Sequence, residues 1–344
     1  MYPSLLPRYC LFPLLSGLLV LAGCSDDKIV LDSISTIRYE TFALPIDTAS
    51  RDLTAICFTS PSRGIIGGTQ GTLLTTTDAG TSWTNLSDPD LGDIHRLRFT
   101  SADSGWAATA RGLWRTTTGG RQWTRADIWG GFDPAIHDVE FVSARRGYAV
   151  GDDGIFMTSN GGLTWNAQIR GSVDDLRAVA FSSPDTGIAV GKHFELLTTT
   201  NGGTRWDEGV TESASGYFSW YDVAYIQGGL LRVGGNLPGS DYYANGDDGC
   251  FSAREYGQEY GTDARLPYRI FRIAMAGPDR VVAVGEKSII IRRPGFSSSE
   301  YTPWAYTFRS DGAPFDETFL DAAFADNATF YAVTEACTLY RFHY

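Results

Sequence analysis

Short runs of alternating apolar and polar residues dominate the chain. Ile136 to Phe141 reads apolar, polar, polar, apolar, polar, apolar. A polar Ser-Ala-Arg-Arg-Gly turn follows, then Tyr148-Ala149-Val150-Gly151. Runs of this length, bounded by Gly, Ser and Asp, predict strands that bury one face. The same unit recurs at Leu53–Phe58, Ile94–Phe99 and Leu176–Phe181, and again at Trp220–Tyr225, Ile270–Met275 and Phe319–Phe324. Each copy ends on an aromatic or methionine. No amphipathic pattern with the 3.6-residue period of a helix of ordinary length is present. The pattern predicts an all-β chain of repeated units.

A second motif punctuates the first four copies. Thr75 to Trp83 reads TTTDAGTSW; Thr116 to Trp123 reads TTTGGRQW, Thr158 to Trp165 TSNGGLTW, and Thr199 to Trp206 TTNGGTRW. The tryptophans recur every ~41 residues, the length of one four-stranded propeller blade. Asp78, Asn160 or Asn201 can cap backbone N–H groups. Gly80, Gly120, Gly162 and Gly203 can take positive φ, and Trp83, Trp123, Trp165 and Trp206 open the next strand with a large apolar face. None of these groups is a nucleophile or proton shuttle, so the motif reads as structural.

The pattern Ser/Thr-x-Asp-x-Gly-x-x-Trp resembles the Asp-box of BNR-repeat propellers. Among these, seven copies with worn boxes are most similar to the photosystem II assembly/stability factor family. The resemblance implies a β-propeller and an arginine-rich binding patch whose residues one sequence does not place. The expected fold is a seven-bladed β-propeller of four-stranded antiparallel blades. Its fifth box is worn, with Glu255 in the Asp place. The seventh copy stops at Tyr344 before a fourth strand; the run Ile34 to Leu44 is expected to supply it and close the ring.

The N-terminus reads as an address. Arg8 is its only charge, Leu11 to Ala22 is apolar, and Leu21-Ala22-Gly23-Cys24 matches a bacterial lipobox. The expected organisation is a signal peptide over 1–23, a lipidated tether over 24–33 starting at Cys24, and a propeller over 34–344. The expected location is the bacterial cell envelope, outer membrane in particular, with the lipid as membrane contact. Loss of Arg8 takes the formal charge from −12 to −13. A nucleic-acid partner, which needs a basic face, is thereby disfavoured. Cys57, Cys250 and Cys337 would remain. They read as buried thiols, with a Cys57–Cys337 bridge as the alternative. No Cys/His spacing points to a metal, and no cofactor is expected.

Two constellations could carry function. Aromatics assigned to the loops before or within blades, namely Trp129, Trp220, Tyr243 and Trp304, form a candidate binding face for a protein or a glycan, and should be at least partly exposed. The third position of the inner-strand copies reads Ala55, Arg96, Asp138, Ala178, Asp222, Arg272 and Asp321. Pseudo-symmetry places Arg96, Asp138, Asp222, Arg272 and Asp321 in a ring around the central channel. His95 and His137 occupy aligned positions beside it. The favoured reading is a non-enzymatic protein-binding or assembly scaffold. The alternative is a carbohydrate-active or carbohydrate-binding propeller, for which the sequence offers acids such as Asp174, Asp175 and Glu317 but no nucleophile elbow.

Overall fold

The computed structural model describes residues 20–21, 29–30, 32–47, 51–128, 130, 134–171, 175–193, 195–209, 218–226, 229–236, 249–255, 262–266, 268–277, 280–292 and 304–343. The chain forms a β-propeller. Its first sheet holds Leu53–Ser60, Arg63–Gly68, Leu73–Thr76 and Thr84–Asn85 in that order. The second, third, fourth and fifth sheets begin on Ile94–Phe99, Ile136–Phe141, Leu176–Phe181 and Phe218–Ile226, and each adds three further strands in sequence.

The last two sheets differ from expectation. Ile270–Gly277 opens a sixth sheet of five strands, because Asp32–Thr36 adds in parallel to Trp304–Phe308. Phe319–Phe324 opens a seventh, whose fourth strand is Arg38–Phe42, antiparallel to Leu339–His343. Six sheets, rather than seven, are therefore four-stranded and antiparallel. The N-terminal run does not act as one strand. It serves two neighbouring sheets, and Ile37, buried at the crossing, donates its N–H to the Phe308 carbonyl at 3.2 Å. The first of these strands starts at Asp32, inside the stretch read as tether.

The repeated turns are built as their chemistry suggests. Thr76 Oγ1 accepts from Gly80 N at 3.0 Å, and Asp78 Oδ1 accepts from Ser82 N at 2.9 Å. Thr158 and Asn160 do the same for Gly162 and Thr164 at 2.9 and 3.0 Å, as do Thr199 and Asn201 for Gly203 and Arg205 at 2.9 Å each. In the second turn, Thr116 Oγ1 serves Gly120 at 3.0 Å and Thr118 replaces the acid, serving Gln122 at 2.9 Å. Glycine is required because φ is +76°, +84°, +78° and +77° at Gly80, Gly120, Gly162 and Gly203. Glu255 still belongs to a strand, opposite Gly229, and the residues of the expected fifth turn after it lie outside the described residues.

The box tryptophans reach the neighbouring sheet. Trp165 meets Trp106 edge-on with centroids 5.6 Å apart, and Trp206 meets Tyr148 at 6.3 Å. Trp83 packs in one cluster with Tyr331 of the seventh sheet. Tyr148 OH donates to Gly202 O at 2.9 Å, and Tyr331 OH donates to Ala79 O at 2.7 Å. The first and seventh sheets thus meet through the same contact as the third and fourth. Cys57 and Cys337 are free thiols. Burial raises the Cys57 thiol to about 11.

Candidate functional site

The third-position residues do converge. Arg96, buried in the second sheet, lies 3.2 Å from Asp138 Oδ1, 3.2 Å from Asp222 Oδ2 and 3.8 Å from Asp321 Oδ1. Each carboxylate also bridges two sheets. Asp138 accepts from its own Val139 N and, at 3.1 Å, from Val179 N of the fourth sheet. Asp222 accepts from Val223 N and from Ile273 N of the sixth sheet at 2.9 Å. Asp321 accepts from Ala322 N and from Ile56 N of the first sheet at 2.9 Å. Burial works against the Arg96 charge, but the three carboxylates overcome it and hold the guanidinium protonated. The charges of the candidate ring thus pair with one another through Arg96, and the ring is an internal brace.

The residues just before this ring make the channel mouth. All seven inner strands lose register across their second residue, between Leu53 and Ala55, Ile94 and Arg96, Ile136 and Asp138, Leu176 and Ala178, Trp220 and Asp222, Ile270 and Arg272, and Phe319 and Asp321. Such bulges re-aim a side chain. They gather Thr54, His95, His137, Arg177, Tyr221 and Phe271 at one level. The His95 and His137 rings lie 4.7 Å apart, and those of Tyr221 and Phe271 5.3 Å apart.

Arg272 spans this mouth. It donates from Nη1 to Tyr221 O at 3.2 Å and from Nη2 to His95 O at 3.0 Å. It has no ion pair among the described residues, and its Nε is buried without a partner there. Burial, then repulsion from Arg96, lowers its affinity for its proton. Beside it, His137 Nε2 lies 2.7 Å from Asp152 Oδ1 and 3.1 Å from Asp175 Oδ1. These three could in principle ligate a metal. However, Asp175 is also paired with Arg177 at 2.7 Å and with Lys192, which disfavours a second cation. Burial alone would raise the Asp175 carboxyl; hydrogen bonds from His137 and Lys192 and the Arg177 charge outweigh it and hold it well below the usual range. His95 is pushed down to about 4, by burial first and by His137 second.

The aromatic face fares differently. Trp220 is 7% exposed, against the expectation of an exposed ring. It occupies the first position of its inner strand, where Leu53, Ile94, Ile136, Leu176, Ile270 and Phe319 are all buried core residues, and Arg232 lies 4.5 Å over its ring. Trp304 opens a strand of the sixth sheet rather than lying in a loop. Trp129, Tyr243 and Cys24 lie outside the described residues, as does Asp174. Glu317 is half-buried and accepts from Tyr340 OH at 3.0 Å.

Comparison with known proteins adds the family. The chain matches the family described as photosynthesis system II assembly factor YCF48 over residues 31–173 and 128–208, which together cover more than half of it. It is 34% identical over 113 residues to the photosystem II assembly lipoprotein Ycf48 of Synechococcus sp. (strain CC9902), a stretch spanning 30% of this chain and 31% of that relative. Among solved structures it is similar to YCF48 bound to D1 peptide, with a TM-score of 0.68, 16% identity, and coverage of 91% of this chain and 99% of the other. YCF48 from Cyanidioschyzon merolae gives a TM-score of 0.62 at 17% identity over 89% of this chain and 98% of that one. Virginiamycin B lyase from Staphylococcus aureus gives 0.67 at 12% identity over 90% and 99%, a likeness of fold alone. Repeat turns, inner-strand copies and the sequence match converge: the chain belongs to the photosystem II assembly factor Ycf48 family.

Proposed function

We propose that this protein is a non-enzymatic assembly scaffold, held at a bacterial envelope membrane by lipid on Cys24, which presents its channel mouth to a segment of a protein partner. Family membership supports a binding role, and a propeller of similar fold carries a peptide. The observation that carries the reading is Arg272. Its guanidinium has a buried, unpartnered Nε at a mouth that also holds Tyr221 and Phe271. Arginine and aromatic side chains are the types that most often anchor protein interfaces. The lipobox and the relative's description as a lipoprotein support the anchor.

The seven sheets are further proposed to be blades of one closed ring, with Arg38–Phe42 as the outer strand of the last. The Asp321–Ile56 and Tyr331–Ala79 contacts support closure between the seventh sheet and the first. The test is capture from native envelope by the full tagged chain and by a Phe271→Ala/Arg272→Ala double variant. The expected result is a specific protein captured by the parent and lost from the variant, with Cys24→Ala abolishing acyl labelling and membrane fractionation. Equal capture by the variant, or glycan as the only ligand, would overturn the reading.

A further inference from the structure

We propose that the cavity on the far side of the Arg96 brace is a binding site for a small organic monocarboxylate, whose carboxylate seats on Arg98 and whose body fills the space beside the small side chains opposite. The cavity has a volume of about 340 Å³, is lined by all seven inner strands and lies across the brace from the mouth. That volume is at the lower end of the ~300–1,000 Å³ of small-molecule sites. It is independent of the partner surface, because the brace separates the two.

The ring of side chains two residues after the brace is lopsided. Five sheets contribute small groups: Cys57, Ala180, Ala224, Ala274 and Ala323. The second and third contribute Arg98 and Glu140, which remain 41% and 30% exposed, so the cavity reaches solvent. Their contact is loose, with Nη2 at 3.5 Å from Oε2, and Arg98 Nε is 4.0 Å from Asp138 Oδ1. That Nε is buried without a hydrogen-bond partner among the described residues. A partly exposed guanidinium, loosely paired beside a hollow walled by small side chains, is suited to a carboxylate.

Charge balance fixes how the site would respond to pH. Three guanidiniums, Arg96, Arg98 and Arg272, face four carboxylates, Asp138, Asp222, Asp321 and Glu140, and of the four only Glu140 reaches solvent. The groups facing Glu140 are Arg98 and Arg96 of the second sheet, Asp138 on its own strand, and Asp222 of the fifth. Cys57 and Tyr225 line the same space. Burial raises the Glu140 carboxyl, with Arg98 opposing. A ligand carboxylate would replace the Glu140 charge while Glu140 takes up one proton, so net charge in the cavity is conserved. Protonated, its O–H can donate to the incoming carboxylate.

The test is calorimetric titration of the full chain with benzoate, octanoate and, as the neutral control, benzamide. Saturable binding of one of the acids is expected, weakening about tenfold per pH unit above the Glu140 titration, as uptake of one proton requires. Glu140→Gln should bind without that pH dependence, and Arg98→Met should lose binding at least tenfold with an unchanged melt. Ala224→Leu, which fills the hollow and leaves Arg98 in place, should block binding and serves as the second variant if Arg98→Met unfolds. Benzamide binding as well as benzoate, retention in Arg98→Met or Ala224→Leu, or no saturable binding of either acid would overturn the proposal.

Discussion

The first four sheets and the last three are held by different means. In the first four, each outer hairpin is closed by a Thr hydroxyl and an Asp, Asn or Thr cap, and a tryptophan follows each closed turn. The fifth to seventh sheets carry no such turn among the described residues, yet two of the three brace carboxylates, Asp222 and Asp321, belong to them. Arg96, from the second sheet, reaches both. The two halves therefore trade local for long-range fastening: where the rim motif has worn away, the channel takes over cohesion.

The widest gap between the halves should open on removing Arg96. Arg96→Met strips the counter-ion from three buried carboxylates, and loss of one partner of a buried ionic cluster typically costs about 3–5 kcal/mol. Chemical denaturation should record that loss. Hydrogen exchange should show its largest increase at Ile273 and Ile56, whose N–H groups the carboxylates hold. Uniform loss of protection would break the comparison.

On the rim side, Trp165→Ala removes a ring packed against Trp106 and Phe141, and should cost about 3 kcal/mol. Exchange should rise mainly in the second and third sheets. Thr158→Ala leaves the Gly162 N–H without its buried acceptor, at about 1–2 kcal/mol. Thermal melts of the two variants, taken together, would size the rim contribution.

The smallest effect is at Asp78. Hydrogen bonds from Ser82 and Thr76 lower its carboxyl from the ordinary 3.8 to about 2. A folded-state value below the unfolded one means the stabilisation is present above pH ~4 and is lost as pH falls through about 2. The melting difference between the parent and Asp78→Ala should therefore be constant above pH ~4 and shrink toward pH ~2. A difference independent of pH would show that the side chain acts by shape alone.

The rim motif was legible because it repeats residue types at fixed spacing, and the third-position ring was legible once the inner strands were aligned. Internal pairing follows from opposite charges at one level, but only distances show that Arg96 alone reaches all three carboxylates. The bulges were invisible, because one extra residue in a strand changes backbone path without changing residue type. The same alignment that found the ring also held the answer for Trp220: its first-position equivalents are all apolar core residues. The parallel strand Asp32–Thr36 has no counterpart among the described residues, so no repeat could signal it.

The central claim is that the bulge-crowned mouth, and not the rim, meets the partner. A photo-crosslinking residue placed at Phe271 in the membrane-bound protein tests it directly, with Leu163, 70% exposed on a rim turn, as the control position. The account predicts a discrete protein adduct from position 271 and none from 163. An adduct of equal yield from position 163, or none from 271 while capture persists, would contradict it.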